Sequence, residues 1–250
     1  MTSHDYFSAG AAEYATYRPR YPASLFARLA ALAPDRLLAW DCATGNGQAA
    51  VSLADQFARV IATDMSAAQI QHALPHARVE YRVARAEASA LAAASVSLVN
   101  VAQALHWLDL DAFYAEVRRV LVPSGVLSVS SYGSAELETP ALAAVFTDFE
   151  LVRLERYWPP GRHGVGDGLR HVPFPFAEVA TPESPLQVRW TLAQLLGYAR
   201  SWSATASYTR QHAGVDPVLE LDAELRPLWG PPDTPRTVRW PFFVRAGRVR

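Results

Sequence analysis

Lysine is absent from this chain, and all 23 of its basic residues are arginine. That excludes chemistry built on a lysine Schiff base and removes the lysine of a phosphate-binding loop. A single cysteine, Cys42, leaves no intrachain disulfide to form. The seven histidines are scattered without metal-ligand spacing, so no metal site is expected. No apolar run approaches the ~18 residues of a membrane span, and no charged stretch leads into an apolar one near residue 1. The expectation is a cytoplasmic protein that engages no membrane. A net charge of −1 offers no basic excess to a phosphate backbone, so no nucleic-acid partner is expected.

What is present suits a packed globular protein: 250 residues, half of them hydrophobic and 19% charged. Strands and helices alternate through the first half. Leu37 to Trp40 is a short apolar run ending at Asp41 and a glycine-bearing turn, with a helix expected from Gly47 to about Phe57. Arg59 to Thr63 reads as a second strand ending at Asp64. Ser66 stands three residues before Gln69, the spacing of a capping box. Val79 to Val83 alternates with period two, and Ser95 to Ala102 reads as a central strand. Asp109 and Asp111 open the next helix and Arg118 and Arg119 close it, as the helix dipole favours. Pro123-Ser124-Gly125 is expected to stop that helix before a strand begins at Val126. This order implies a mostly parallel sheet with helices on both faces.

The second half is less regular. Thr139 to Arg156 looks helical, Trp158 to Pro185 is an excursion rich in proline, glycine and aromatics, and Gln187 to Trp190 is a strand. Thr191 to Tyr208 holds one or two helices. Thr237 to Val249 reads as a closing strand interrupted at Pro241. The organisation expected is an α/β core over residues 1–135, an α-rich cap and substrate region over 136–235, and a closing core strand over 236–250, one domain in all.

Chemistry concentrates at Asp41-Cys42-Ala43-Thr44-Gly45-Asn46-Gly47-Gln48, between a strand and a helix. Glycines there let the backbone approach a ligand, and the helix start presents N–H groups. Asp64, at the end of the second strand, is placed to accept from two ribose hydroxyls. Nicotinamide oxidoreductases share that geometry, but this loop lacks their G-x-G-x-x-G fingerprint. Its opening acid suits a cofactor with an amino acid end.

With the loop stand Tyr14-Ala15-Thr16-Tyr17-Arg18-Pro19, Thr63-Asp64-Met65-Ser66, Ala86-Glu87, and Ala102-Gln103-Ala104-Leu105-His106-Trp107. Together these motifs resemble the class I methyltransferases dependent on S-adenosylmethionine (SAM), and within them the small-molecule group that includes trans-aconitate methyltransferases. The resemblance runs from about Phe7 to Tyr132, with weaker echoes from Thr191 to Phe243. It implies a Rossmann-like, seven-stranded sheet with an antiparallel last strand, SAM as cofactor and a small-molecule acceptor, an oxygen of an organic acid or related metabolite. It implies that Asp41, Ala43, Gly45, Gly47 and Gln48 hold the methionine part of SAM and Asp64 its ribose. Met65, Ala86 and Glu87 would border the adenine, Ala102 and Gln103 would underlie the amine, and Tyr14 and Arg18 would close over the cofactor. A SAM-binding protein that does not methylate, such as a partner subunit or a cyclase, shares these features.

Three positions depart from the family pattern. Ala43 replaces the usual first loop glycine, which requires a negative φ there. Ser97 stands where the fourth strand often carries an aspartate. Arg85 precedes Ala86-Glu87 and has only donors to offer an adenine amine. His106 is the candidate base for a hydroxyl or amine acceptor, or a clamp for a carboxylate; packing against Trp107 is its plain alternative. Trp107, Trp158, Trp202 and Tyr208 are candidate acceptor residues; for Trp158, Trp202 and Tyr208, as for Trp190, a small core under the cap is the plainer reading. Arg162, His163, Arg170 and His171 form a local positive cluster or a solvated loop.

Overall fold

The computed structural model describes residues 17–159, 168–181 and 185–249. Among these, 20–132, 168–181 and 242–249 form one compact unit, and 17–19, 133–159 and 185–241 another. In chain order the helices are α1 (Ala23–Leu32), α2 (Gln48–Ala54), α3 (Ala67–Gln71), α4 (Leu110–Val120), α5 (Pro140–Asp148), α6 (Leu192–Arg200), α7 (Ser203–Gln211) and α8 (Val218–Trp229). The strands are β1 (Leu38–Cys42), β2 (Arg59–Asp64), β3 (Val79–Val83), β4 (Val96–Ala102), β5 (Leu121–Tyr132), β6 (Glu136–Leu137), β7 (Ala177–Val179), β8 (Leu186–Trp190), β9 (Arg236–Trp240) and β10 (Phe242–Arg248).

The first unit is built on a seven-stranded sheet in the order β3-β2-β1-β4-β5-β10-β7. Strands β1 to β5 pair in parallel, β10 runs against β5, and β7 runs against β10 and therefore with the rest. Alternation along each strand divides the core. Ala39, Val60, Ala62, Leu98 and Val126 share one face with Leu25, Phe26 and Leu29 of α1 and Ala49, Ala50 and Leu53 of α2. Trp40, Ile61, Val99, Val101 and Leu127 share the other with Phe113, Val117 and Val120 of α4. Helices on both faces are what a parallel sheet requires to bury itself. Helix α4 begins where its sequence signals: Asp109 caps it by accepting from the Ala112 N–H, and Arg118 and Arg119 lie in its last turn.

Two expectations are corrected here. Pro123-Ser124-Gly125 does not separate α4 from its strand, because β5 begins at Leu121, directly after the helix. The three residues bulge instead, between the register pairs Val96–Leu121 and Leu98–Val126, with Ser124 at φ +63°. The closing segment is two strands in two sheets. β9 pairs with β6 and β8 in the second unit, and only β10 joins the large sheet. Pro241 lies between them, without the N–H that a continuous ladder would need. The excursion after Trp158 also supplies β7, whose three residues pair with Ala246 to Arg248.

The second unit has a three-stranded sheet, β6-β9-β8, and helices α5 to α8. Thr191 caps α6 in a full capping box with Gln194. The segment Thr139 to Arg156 is helical but not uniformly: α5 gives way to a π-helical turn over Phe149–Arg153 and a 3-10 turn over Glu155–Tyr157. Arg153 ties the turn to α8, bonding Asp148 at 2.7 Å and Glu224 through two contacts of 2.6 Å. No described helix is long and apolar enough to cross a membrane.

Candidate active site

Because β1, β2, β3 and β4 are parallel, the segments that follow them share the carboxyl edge of the sheet. Strand order reverses between β1, which leads to β2 and β3 on one side, and β4 on the other. Open α/β sheets bind ligands at such a switch point. The segments that meet there are 43–47 after β1, Met65-Ser66 after β2, Ala84 to Glu87 after β3, and Gln103 to Trp107 after β4.

The loop after β1 is tightly specified. Gly45 and Gly47 have φ of +56° and +85°, the left-handed region that glycine enters without cost. A Cβ on Gly47 would also lie 2.1 Å from the Tyr81 hydroxyl, which itself donates to the Leu74 carbonyl at 2.7 Å. At Gly45 the nearest atom to an added Cβ is 3.9 Å away, so that side of the loop is open. Ala43 overturns the expectation of a negative φ: it sits at +53°, where its methyl group is strained. The turn is held nonetheless, by Thr44 N–H donating to the Thr63 carbonyl at 2.9 Å and Gly47 N–H to the Thr44 carbonyl at 3.0 Å.

Two carboxylates organise this loop. Asp64 ends β2 and accepts from Gly45 N–H and Ser66 N–H, both at 2.8 Å, so it ties the two segments together. Ser66 in turn caps α3 by accepting from Gln69 N–H. Asp41 is 1% exposed, accepts from Asn100 Nδ2 at 2.7 Å and Thr44 Oγ1 at 2.5 Å, and its pKa is pushed up to about 6. Burial is the main cause, and the nearby Asp64 charge adds to it; the two hydrogen bonds act in the opposite direction.

Around them, Met65 is 59% exposed, while Ala86 is buried. Glu87 accepts from Asp109 N–H at 3.3 Å and pairs with Arg85 at 3.3 Å, fastening the segment after β3 to the start of α4. The Arg85 side chain is exposed and turned to that ion pair. Gln103 follows β4 at φ +56°, another left-handed residue without glycine's freedom, and its N–H donates to Ser130 at 2.9 Å. His106 lies in the 3-10 turn Leu105–Trp107, its ring 4.6 Å from that of half-exposed Trp107. Gln48 is the first residue of α2.

Other expected site residues lie in the second unit. Arg18 donates to the Ser201 carbonyl at 3.2 Å and rests over the Tyr198 ring. Its neighbour Tyr17 occupies the space that a side chain at Gly197 would fill, which accounts for a glycine inside α6. Trp202 is 2% exposed and packs on Phe146, Tyr198 and Trp158, so it has almost no surface to offer an acceptor. Trp158 donates to the Glu150 carbonyl at 3.0 Å, Tyr208 stacks on His212, and buried Trp190 packs on Trp240. Tyr14, Arg162 and His163 lie outside the described residues. Ser97 sits near the start of β4, far along the strand from the carboxyl edge, and donates to Asp35 at 2.5 Å.

Asn100, which holds Asp41 together with Thr44 of the loop, was not among the expected residues. The available signal was one amide inside the apolar run Val96 to Val101, since a buried polar group needs a partner.

The residues fit SAM. Beside the loop acid, Asn46 Nδ2 and Gln103 Oε1 are buried and have no partner among the described residues, a donor and an acceptor on the loops after neighbouring strands. An amino acid end carries a carboxylate for the first and an ammonium for the second. Exposed Met65 beside Asp64 gives an apolar surface next to a diol-binding carboxylate. No cluster of metal-type ligands occurs among the described residues.

Sheet order, loop and carboxylates together define an S-adenosylmethionine-dependent methyltransferase of class I, and the chain belongs to that family. A family model described as a methyltransferase domain matches residues 40–129. A Dictyostelium discoideum protein described as a methyltransferase is 32% identical over 210 residues, covering 82% of this chain and 80% of its own length. A solved structure described as a type II methyltransferase from Anaeromyxobacter dehalogenans is 45% identical, covers 93% of this chain and 98% of its own, and superposes with a TM-score of 0.85. The malonyl-[acyl-carrier protein] O-methyltransferase of Methylovorus sp. is 32% identical over 152 residues, 56% of this chain and half of its own.

Proposed function

We propose that the enzyme transfers the methyl group of SAM to an oxygen of a small organic acid, with Asp41 to Gln48, Asp64, Met65, Ala86, Glu87, Ala102 and Gln103 holding the cofactor. The observation that carries this is Asp64 bridging the Gly45 and Ser66 N–H groups beside exposed Met65. A carboxylate offers about four lone-pair positions, so this tether is compatible with a ribose diol. When bound, SAM supplies a methyl group on a sulfonium, already activated for displacement. What remains for the protein is alignment of the acceptor and exclusion of water.

The acceptor class is supported by the likeness to trans-aconitate methyltransferases in the motifs and by a relative whose name gives O-methylation. An ionised carboxylate carries no proton to remove, so His106 serves as its clamp, with Trp107 as the apolar wall beside it. His106→Ala then raises KM and spares kcat, and activity falls as the imidazolium loses its proton. A fall of ~10²–10⁴ in kcat with KM unchanged, and activity rising with pH, would instead mark His106 as a general base for a hydroxyl.

The cofactor reading is tested by thermal shift with SAM, S-adenosylhomocysteine and NADH, followed by a screen of organic acids for methylated product. A hundredfold excess of a true ligand over its Kd adds about 2.7 kcal/mol. Asp64→Ala should weaken SAM binding by about 1.5–3 kcal/mol, the range for a hydrogen bond to a charged group. Equal SAM affinity in that variant by calorimetry would remove Asp64 from the site.

A further inference from the structure

The cofactor loop hangs from one buried carboxylate, and the partner that crosses the sheet to hold it is Asn100. Asp41 and Asn100 stand opposite each other in the β1–β4 register, and Asn100 stands opposite Ser128 in the β4–β5 register. All three are at most 1% exposed. By the alternation of their strands they face the side covered by α1 and α2, where an otherwise apolar layer becomes a polar row at the carboxyl edge. Asn100 Nδ2 reaches Asp41 Oδ1 at 2.7 Å, and Thr44 Oγ1 reaches Oδ2 at 2.5 Å. The backbone of Ala50, in the first turn of α2, also favours the charged form.

We propose that Asn100 is a positioning residue for the methyl donor: its amide fixes the Asp41 carboxylate, and through it the turn that carries Gly45 and Gly47, in the charged arrangement that receives the cationic end of SAM. This rests on the cofactor reading above and adds a residue to it. Three features argue against a merely structural amide. A leucine keeps the branched shape of asparagine and would leave no polar atom of its own to satisfy in this layer. Asn100 Oδ1 and Ser128 Oγ have no partner among the described residues, so the amide is not there to complete a network on its own side. Among the described residues its side chain bonds to the acid that opens the cofactor loop and to nothing else.

The groups that bear on Asp41 define what its loss should do. Asp64 on β2 repels its charge; Tyr81 on β3 and Cys42 on β1 both feel that charge but are themselves neutral near pH 7, their protons held more tightly by burial. Against these, Asn100 and Thr44 supply the side-chain donors that favour ionisation. Removing one donor should raise the pH at which Asp41 loses its proton by about one unit.

The test is the SAM dissociation constant by calorimetry between pH 5.5 and 8.5, for the wild type and Asn100→Leu. Wild-type affinity should fall as pH drops through about 6, where Asp41 takes up a proton. In Asn100→Leu the same fall should lie about one pH unit higher, with binding about fivefold weaker at pH 6 and nearly equal at pH 8.5. If Asn100→Leu does not fold, Asn100→Asp replaces the donor by a second acid of nearly the same shape and must move the fall further upward. Binding that weakens equally at every pH, or not at all, overturns the positioning role while leaving the cofactor reading intact. So does a wild type whose affinity ignores pH. A wild type that takes up no SAM at any pH overturns the cofactor reading, and the inference falls with it.

Discussion

Two carboxylates in the sheet unit, both nearly out of contact with water, sit in opposite electrostatic worlds. Glu116, on α4, is 8% exposed and accepts from Arg119 at 2.7 and 2.8 Å and from the Ser89 N–H and hydroxyl at 2.9 and 2.5 Å. Its Arg119 partner holds its pKa down to about 2. Asp41, on β1, has hydrogen-bond donors but no cation among the described residues, and burial drives its pKa up to about 6. A charge paired where it sits is structure. A charge left buried with donors only is held at a cost, and the neighbouring open loop and strand end are where a cationic ligand would offset it. The methyl donor carries such positive charge at its sulfonium and its ammonium.

The contrast is most sharply tested by pH, and the largest effect belongs to Asp41. Its folded pKa lies above the unfolded value of 3.8, so the folded state binds the extra proton between about pH 4 and 6. Stability contributed by this group is therefore present below pH 4 and lost as pH rises to 6, by about 3 kcal/mol at 1.36 kcal/mol per unit. Asp41→Asn should flatten that fall in urea denaturation midpoints measured across pH 3.5–7, while losing SAM affinity. An unchanged slope would mean that Asp41 is not strained and that the comparison fails. Glu116 has the opposite sign: its folded pKa is depressed, so its contribution is present above about pH 4.5 and lost as pH falls toward 2. Glu116→Gln should cost about 2 kcal/mol at pH 7, the scale for hydrogen bonds to a charged group, and the deficit should shrink in acid. SAM binding should be untouched. A variant that folds normally but no longer binds would move Glu116 into the site.

The sequence made local features legible and long-range ones not. Asp109, Arg118 and Arg119 announced α4 because capping and dipole effects act within a turn. The loop from Asp41 and the acid at Asp64 were readable because a strand-to-helix turn has its own spacing and chemistry. Helices on both faces followed from strict alternation. The partnership of Asp41 with Asn100 was invisible because 59 residues separate them and only the β1–β4 register joins them. Strand β7 was missed for the same reason: three residues in a proline-rich stretch gain their strand character from β10. The Pro241 break was seen, but its consequence, two strands in different sheets, depends on partners far along the chain.

The smallest effect concerns the one loop residue whose backbone defies its side chain. Ala43 lies at φ +53°, between buried Asp41 and the open Gly45. A non-glycine residue in the left-handed region costs ~1–2 kcal/mol. Glycine would remove that strain but release ~0.5–1 kcal/mol of extra freedom to the unfolded chain. The net gain for Ala43→Gly should be about 0.5–1 kcal/mol, or a rise in Tm of about 1–3 °C for a chain of this size. Because Asp41 and Asp64 hold the turn from either side, SAM affinity should stay within twofold. If the turn is instead kept in shape by the stiffness of Ala43, calorimetry will show binding weakened together with an unfavourable entropy change, even as Tm rises. That outcome would add backbone strain at Ala43 to the buried charge at Asp41 as a second stability cost of the site, one that the satisfied neighbourhood of Glu116 does not carry.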